Sequence, residues 1–214
     1  MRYILLISIV LLSSINLKGQ EVIELTESQK TQIIKSIVEK LDDFQFWLGD
    51  MADKHNPSKV RKGAHQAAKK LFVGKCEPYT LFVSGISVNN DGVKMQTSSI
   101  RNGHEVKKDQ LMKNYLLKIL NNTAYNNIKI EQSKAVRVDN IRKVGEGKYE
   151  AVAHIHQYFT GYSGERNQVL YSDNTEKDVR ILIDYEEIPT SDGVDRIISI
   201  KLGDMTVAFT ERIK

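Results

Sequence analysis

Tyr149-Glu150-Ala151-Val152-Ala153-His154-Ile155-His156-Gln157-Tyr158-Phe159 is the stretch on which the fold turns. Tyr149, Ala151, Ala153, Ile155, Gln157 and Phe159 recur with a period of two, and Glu150, His154, His156 and Tyr158 fill the places between. Successive side chains of a strand point to opposite faces, so this segment reads as one strand with an inner and an outer side. The same alternation precedes it at Ile128, Ile130, Val136 and Val138. It returns at Val179, Ile181, Ile183 and Tyr185, and again at Ile198, Ile200 and Leu202, running on to Val207 and Phe209. Gly145-Glu146-Gly147 and Thr190-Ser191-Asp192-Gly193 supply tight connections. Four consecutive strands joined in this way predict an antiparallel sheet.

Toward the N-terminus the period changes. From Thr26 to about Lys54, Ile33, Ile34, Ile37, Val38, Leu41, Phe44, Leu48 and Met51 recur every three or four residues, a helical spacing. Thr26 and Gln29 have the spacing of a capping box. Trp47, in the most apolar part of this helix, is expected to contact the sheet. Asn56-Pro57 reads as the cap and first residue of a second helix carrying Val60, Ala64, Ala67, Ala68, Leu71 and Phe72 as far as Gly74. Tyr79 to Ser84 is rich in strand formers, and Asn89-Asn90-Asp91-Gly92 is a turn signal between Val88 and Val93. A third helix follows, with Asp109 near its start and Leu111, Met112, Tyr115, Leu116, Ile119 and Leu120 on one face. The order predicts an α+β domain over residues 21–214, three helices packed on a curved antiparallel sheet of about six strands.

Residues 1–20 read differently. Arg2 opens an apolar run from Ile4 to Leu12, followed by Ser13, Ser14 and Gly19. A charged start, a short apolar run and a small-residue exit form a cleavable secretory signal. A membrane anchor needs roughly 17–25 apolar residues, and Asn16 and Lys18 end this run early. The expectation is therefore a protein exported to the periplasm or beyond, with no transmembrane anchor after cleavage. Arg2 and Lys18 leave with the segment, which lowers the formal charge of +4 by two. That balance and the export signal argue against a nucleic-acid partner. The single cysteine, Cys76, cannot form an internal disulfide and reads as a small buried hydrophobe.

The order helix, helix, hairpin, helix and four long strands resembles the NTF2-like group of cystatin-like folds. The motifs Gln157-Tyr158-Phe159-Thr160-Gly161-Tyr162, Thr175-Glu176-Lys177 and Leu202-Gly203-Asp204 are similar to those of a family of small secreted proteins from Gram-negative bacteria. That resemblance implies a fold and an extracytoplasmic address, and no activity. Some NTF2-like members are isomerases or dehydratases with a carboxylate or an Asp-His pair in a deep pocket.

Candidate chemistry is sparse. No nucleophile elbow, zinc-protease helix, phosphate loop or dinucleotide fingerprint is present, and no cofactor is implied. His154 and His156 share the outer face of their strand, where two metal ligands could sit. Only Asp184 offers a third, so that face, with Tyr158, reads as solvated or partner-forming rather than as a metal site. Lys59, Arg61, Lys62, Lys69, Lys70 and Lys75 gather charge on the second helix, which reads as a solvated face. Thr160 to Thr175 reads as a long connection carrying Tyr162, Arg166 and Tyr171 among glycine and serine, the composition of a contact surface, against the plainer reading that these tyrosines cover the end of the core and hydrogen-bond locally. The leading expectation is a non-catalytic binding or accessory module whose partner is an envelope protein or glycan. The alternatives are a small pocket enzyme of isomerase or lyase type, and a subunit pairing with itself or another chain through its outer sheet face. The interior discriminates between them: an enzyme needs an ionisable group there, and the residues read as inward include none that titrates near neutrality.

Overall fold

The computed structural model of the chain describes residues 25–83, 86–132, 136–139, 141–163, 168–190 and 193–214. The expected signal segment, and Arg166, lie outside them. Helix α1 (Glu27–Ala52) starts at the expected capping box: the Gln29 N–H donates to Thr26 Oγ1 at 3.3 Å and the Thr26 N–H to Gln29 Oε1 at 2.7 Å. Of the expected stripe, Ile33, Ile37, Leu41, Phe44, Leu48 and Met51 are buried, Val38 is half-buried and Ile34 is exposed. Trp47 is only half-buried at the margin of the core, edge-on to exposed Phe46. Helix α2 (Ser58–Leu71) begins one residue later than expected, after Pro57, and Asn56 turns its side-chain amide to Asp50 O instead of capping. Arg61 of α2 donates to Met51 O at 3.0 Å and to Leu120 O, satisfying carbonyls at the ends of α1 and of α3 (Met112–Leu120). Among the described residues no helix is long and apolar enough to cross a membrane.

The sheet departs from expectation. Strands β1 (Tyr79–Val83) and β2 (Ile86–Asn90) form a separate two-stranded hairpin. The main sheet holds eight strands: β3 (Lys94–Arg101), β4 (His104–Leu111), β5 (Asn127–Gln132), β6 (Arg137–Val138), β7 (Arg142–Gly145), β8 (Lys148–Ser163), β9 (Gln168–Thr190) and β10 (Gly193–Arg212). Its order is β4-β3-β10-β9-β8-β5, with β6 and β7 continuing the β5 side of β8. All pairs are antiparallel except β3 with β10, which makes the sheet mixed. An antiparallel six-stranded sheet of the NTF2-like kind is therefore not what this chain forms.

The strand expected through Ile128, Ile130, Val136 and Val138 is two, β5 and β6, and β7 follows as a further short strand. Two misreadings account for the rest of the difference. The first is Asn102-Gly103, with φ of 51° and 78°. Positive φ at both central residues is what a two-residue hairpin of matching twist requires, and Asn-Gly meets it. It folds Lys94–Leu111 back on itself, pairing Arg101 with His104 and Gln96 with Asp109. Asp109 thus belongs to a strand, and the third helix starts only at Met112. β4 is mostly exposed, so it carries no apolar alternation to betray it. The second is the supposed connection Thr160 to Thr175. β8 runs on to Ser163 and β9 starts at Gln168, with Gly161 opposite Tyr171. Tyr162 and Tyr171 are strand residues.

Candidate functional site

The core strands are placed as their alternation demands. Tyr149, Ala151, Ala153, Ile155 and Gln157 of β8 face inward, as do Val179, Ile181 and Ile183 of β9. Counting back by twos from Val179 gives Lys177, Thr175 and Asp173, and these are buried as well. The sheet's inner face therefore ends in a polar patch beneath α3. Lys177 is 5% exposed; its ammonium donates to Gln157 Oε1 at 2.6 Å and stands 5.9 Å from the centre of the Tyr115 ring. Burial pulls the Lys177 ammonium down to about 8, and Asp173 offsets only part of that. Burial pushes the Asp173 carboxyl above its ordinary range, against the pull of Tyr171, Lys177 and Thr175. Thr175 and Thr210 lie within hydrogen-bond reach at 3.2 Å, and Ser98 completes the row from β3.

Tyr171 is part of this patch and not of a surface loop. Its hydroxyl accepts from the Ile100 N–H at 3.3 Å and engages Asp173, and burial pushes the phenol up to about 12. Its ring continues an aromatic row through Phe159 to Tyr125, with centroids 6.2 and 5.6 Å apart. Cys76 is fully buried, and burial pushes its thiol up to about 12, which leaves it inert at neutral pH.

On the outer face His154, His156 and Tyr158 stand in line, and the first is fully occupied. Its two ring nitrogens lie 2.7 Å from Asp178 and 2.9 Å from Asp139. Asp139 first, then Asp178, hold the imidazole above the usual histidine range, while burial pulls the other way. Asp184 is taken by Lys148 at 2.8 Å, and buried Glu150 sits between Arg142, at 3.0 Å, and Arg180. The outer face of β8 and β9 is thus a ladder of opposite charges across neighbouring strands. Among the described residues no three His, Cys, Asp or Glu side chains are arranged to hold a metal ion. Of the basic residues on α2, Arg61 is spent on helix ends and Lys69 on Glu77 at 2.9 Å.

Tyr162 is placed differently. It borders a cleft of about 530 Å³ walled on one side by Gly49 of α1 and Asp53, the residue just past its end, and on the other by residues 127–131 of β5. That volume lies within the range of roughly 300–1,000 Å³ typical of ligand sites. Gly49 and Asp53 are four residues apart and so share one helix face. A Cβ added at Gly49 would meet nothing within 4 Å, so the gap in that wall is open space. The charged groups of the cleft are settled. The His55 backbone N–H, more than the ring, keeps Asp53 below the usual carboxylate range, and Lys129 pairs with Glu131 at 2.9 Å. Sequence reasoning did not find this cleft, because its walls come from segments far apart in the chain. No family model, no curated protein and no solved structure matches the chain.

Proposed function

We propose that this protein is an exported, non-catalytic binding module of the cell envelope whose ligand lies in the cleft between α1 and β5. The observation that carries the reading is Gly49. A glycine inside a helix costs roughly 0.5–1 kcal/mol relative to alanine, and neither packing nor backbone geometry calls for one here: space beside it is free. Gly49 lines the cleft, so a longer side chain at this position would project into it. The titratable groups around the cleft favour binding over catalysis. A general acid or base works best with a pKa near the operating pH, whereas Asp53 is held low and Lys129 is raised by its pairing with Glu131. Asp173 and Lys177 do put ionisable groups in the interior, where the sequence reading found none, but neither lines the cleft.

Two measurements test this reading. N-terminal sequencing of the exported protein is expected to find Gln20 or Glu21 first; an intact Met1 in the membrane fraction would refute the export half. For the cleft, a fragment screen followed by backbone amide shifts should cluster at residues 49–53 and 127–131. Gly49→Leu should abolish that cluster. Tyr162→Ala should weaken it while changing stability by less than about 1 kcal/mol, as surface substitutions do. Shifts that ignore both substitutions place the binding site elsewhere.

A further inference from the structure

His154 has a carboxylate at each ring nitrogen. Nδ1 lies 2.7 Å from Asp178 Oδ1 of β9, and Nε2 lies 2.9 Å from Asp139 Oδ2, in the residue that follows β6. An ionised carboxylate only accepts hydrogen bonds, and a neutral imidazole carries a single N–H. Both contacts together therefore require the imidazolium, in which both nitrogens donate. A deprotonated ring would turn a lone pair toward one of the two carboxylates. The aspartates belong to separate pieces of chain, so the proton on His154 ties them together across β8.

One of those pieces is otherwise lightly held. β6 is two residues long and meets β8 only at Arg137 opposite His154 and Val138 opposite Ala153, with the Asp139 N–H donating to Val152 O at 2.8 Å. β9, in contrast, is paired along its length with both β8 and β10. Asp178 is thus the fixed end of the tie and Asp139 the loose one. Other charges around the ring do not replace it. Arg137 Nε stands 3.8 Å from Asp139 Oδ1, but both residues sit on the loose segment, so their attraction anchors nothing to the sheet. On β8, His156 is opposite Glu176 of β9, and Glu150 is held by Arg142 and Arg180.

We propose that His154 is a proton-operated clasp: as the imidazolium it fastens the β6 segment to the β8–β9 pair through Asp139, and on losing its proton it lets that segment loosen from the edge of β8. The direction follows from linkage. Asp139 first, then Asp178, hold the closed imidazole above the ordinary histidine value of 6.5, against burial. When the segment opens, the ring loses Asp139 and titrates lower. The advantage of the closed form is therefore complete below the open-state value and is lost as pH rises through the closed-state value. None of the three residues lines the cleft, so the clasp stands or falls apart from the binding reading.

The test uses the full exported chain and reads amide exchange with solvent by NMR at about pH 6 and about pH 8.5, each corrected for the intrinsic rate. Protection of the Asp139 amide should fall about ten-fold or more between the two, the scale of one charge-assisted hydrogen bond, while the amides of β9 keep theirs. Asp139→Asn is the decisive variant. A carboxamide accepts from Arg137 through its oxygen and donates to an unprotonated Nε2 through its nitrogen, so closure no longer needs the proton. Protection at residue 139 should then be the same at both pH values. Imidazole ¹⁵N shifts of the unsubstituted chain keep the test decisive if the variant folds poorly: both nitrogens of His154 should carry protons at pH 6 and lose one in step with the Asp139 amide. A neutral His154 ring at pH 6, equal Asp139 protection at both pH values, or an Asp139→Asn variant that keeps the parent's pH dependence overturns the proposal.

Discussion

Phe72→Ala is expected to cost about 3–5 kcal/mol, the range for removing a fully buried aromatic ring. For a chain of this size that lowers the melting temperature by roughly 6–20 °C. Phe72 has no exposed surface, and its ring stands edge-on to Phe44 at 5.1 Å. Its backbone bridges to Leu202 of β10, directly after α2 ends at Leu71. The ring therefore joins both long helices to the sheet at one point, and the backbone bridge hinders α2 from sliding in to fill the hole. Denaturant melts of Phe72→Ala beside Phe82→Ala check the reasoning. Phe82 is 62% exposed on the β1–β2 hairpin, and its loss should change stability by well under 1 kcal/mol. Equal effects at the two positions would mean that the site around Phe72 collapses freely.

The contrast between these two phenylalanines also describes what the sequence makes legible. Where apolar residues recur at a fixed period, the period decides both the element and its face: Ile33, Ile37, Leu41, Phe44, Leu48 and Met51 in α1, Tyr149 to Gln157 in β8 and Val179 to Ile183 in β9 sit as that argument places them, while Ile34, off the stripe, is exposed. The argument loses its signal wherever the inward face turns polar or both faces are wet. Asp173, Thr175 and Lys177 keep the period of β9 but not its hydrophobicity, so the strand reads as beginning too late and the preceding stretch passes for a loop. β3 and β4 have the Asn-Gly turn as their main local mark. The histidines were readable as outward, but the Asp178 and Asp139 that claim His154 come from a neighbouring strand and from the segment beyond β6. The cleft depends on α1 meeting β5 across more than seventy residues of sequence, a contact no local pattern encodes.

Lys177 gives the last prediction, and it concerns pH. A lysine in the unfolded chain titrates near 10.5, whereas burial brings this one to about 8 in the folded protein. Between those values the unfolded state holds a proton that the folded state has released, so raising the pH favours folding. Lys177 alone should therefore add stability from about pH 8 at about 1.4 kcal/mol per pH unit. From about pH 9 Cys76, whose thiol burial pushes up to about 12 in the folded protein, ionises first in the unfolded chain and offsets that gain. Lys201, whose ammonium is lowered mainly by burial and then by Lys40 and Lys75, contributes in the same direction. Above about pH 10 the tyrosines reverse the trend. Tyr115 and Tyr171 are both raised by burial, so they ionise in the unfolded chain before the folded one. The profile should be a dome with its top between about pH 9 and pH 10. Lys177→Met keeps most of the buried stem and removes the charge. It should flatten most of the alkaline rise and leave the protein at least as stable as the parent at pH 7, as replacing buried charges by packed apolar groups often does. Gln157→Leu added to it removes the acceptor left behind, and should recover any loss. Denaturant titrations from pH 6 to pH 11 on the three proteins decide the matter. A parent profile that falls steadily from pH 7 would mean that attraction to Asp173 outweighs the cost of burial, and that the ammonium stabilises the fold.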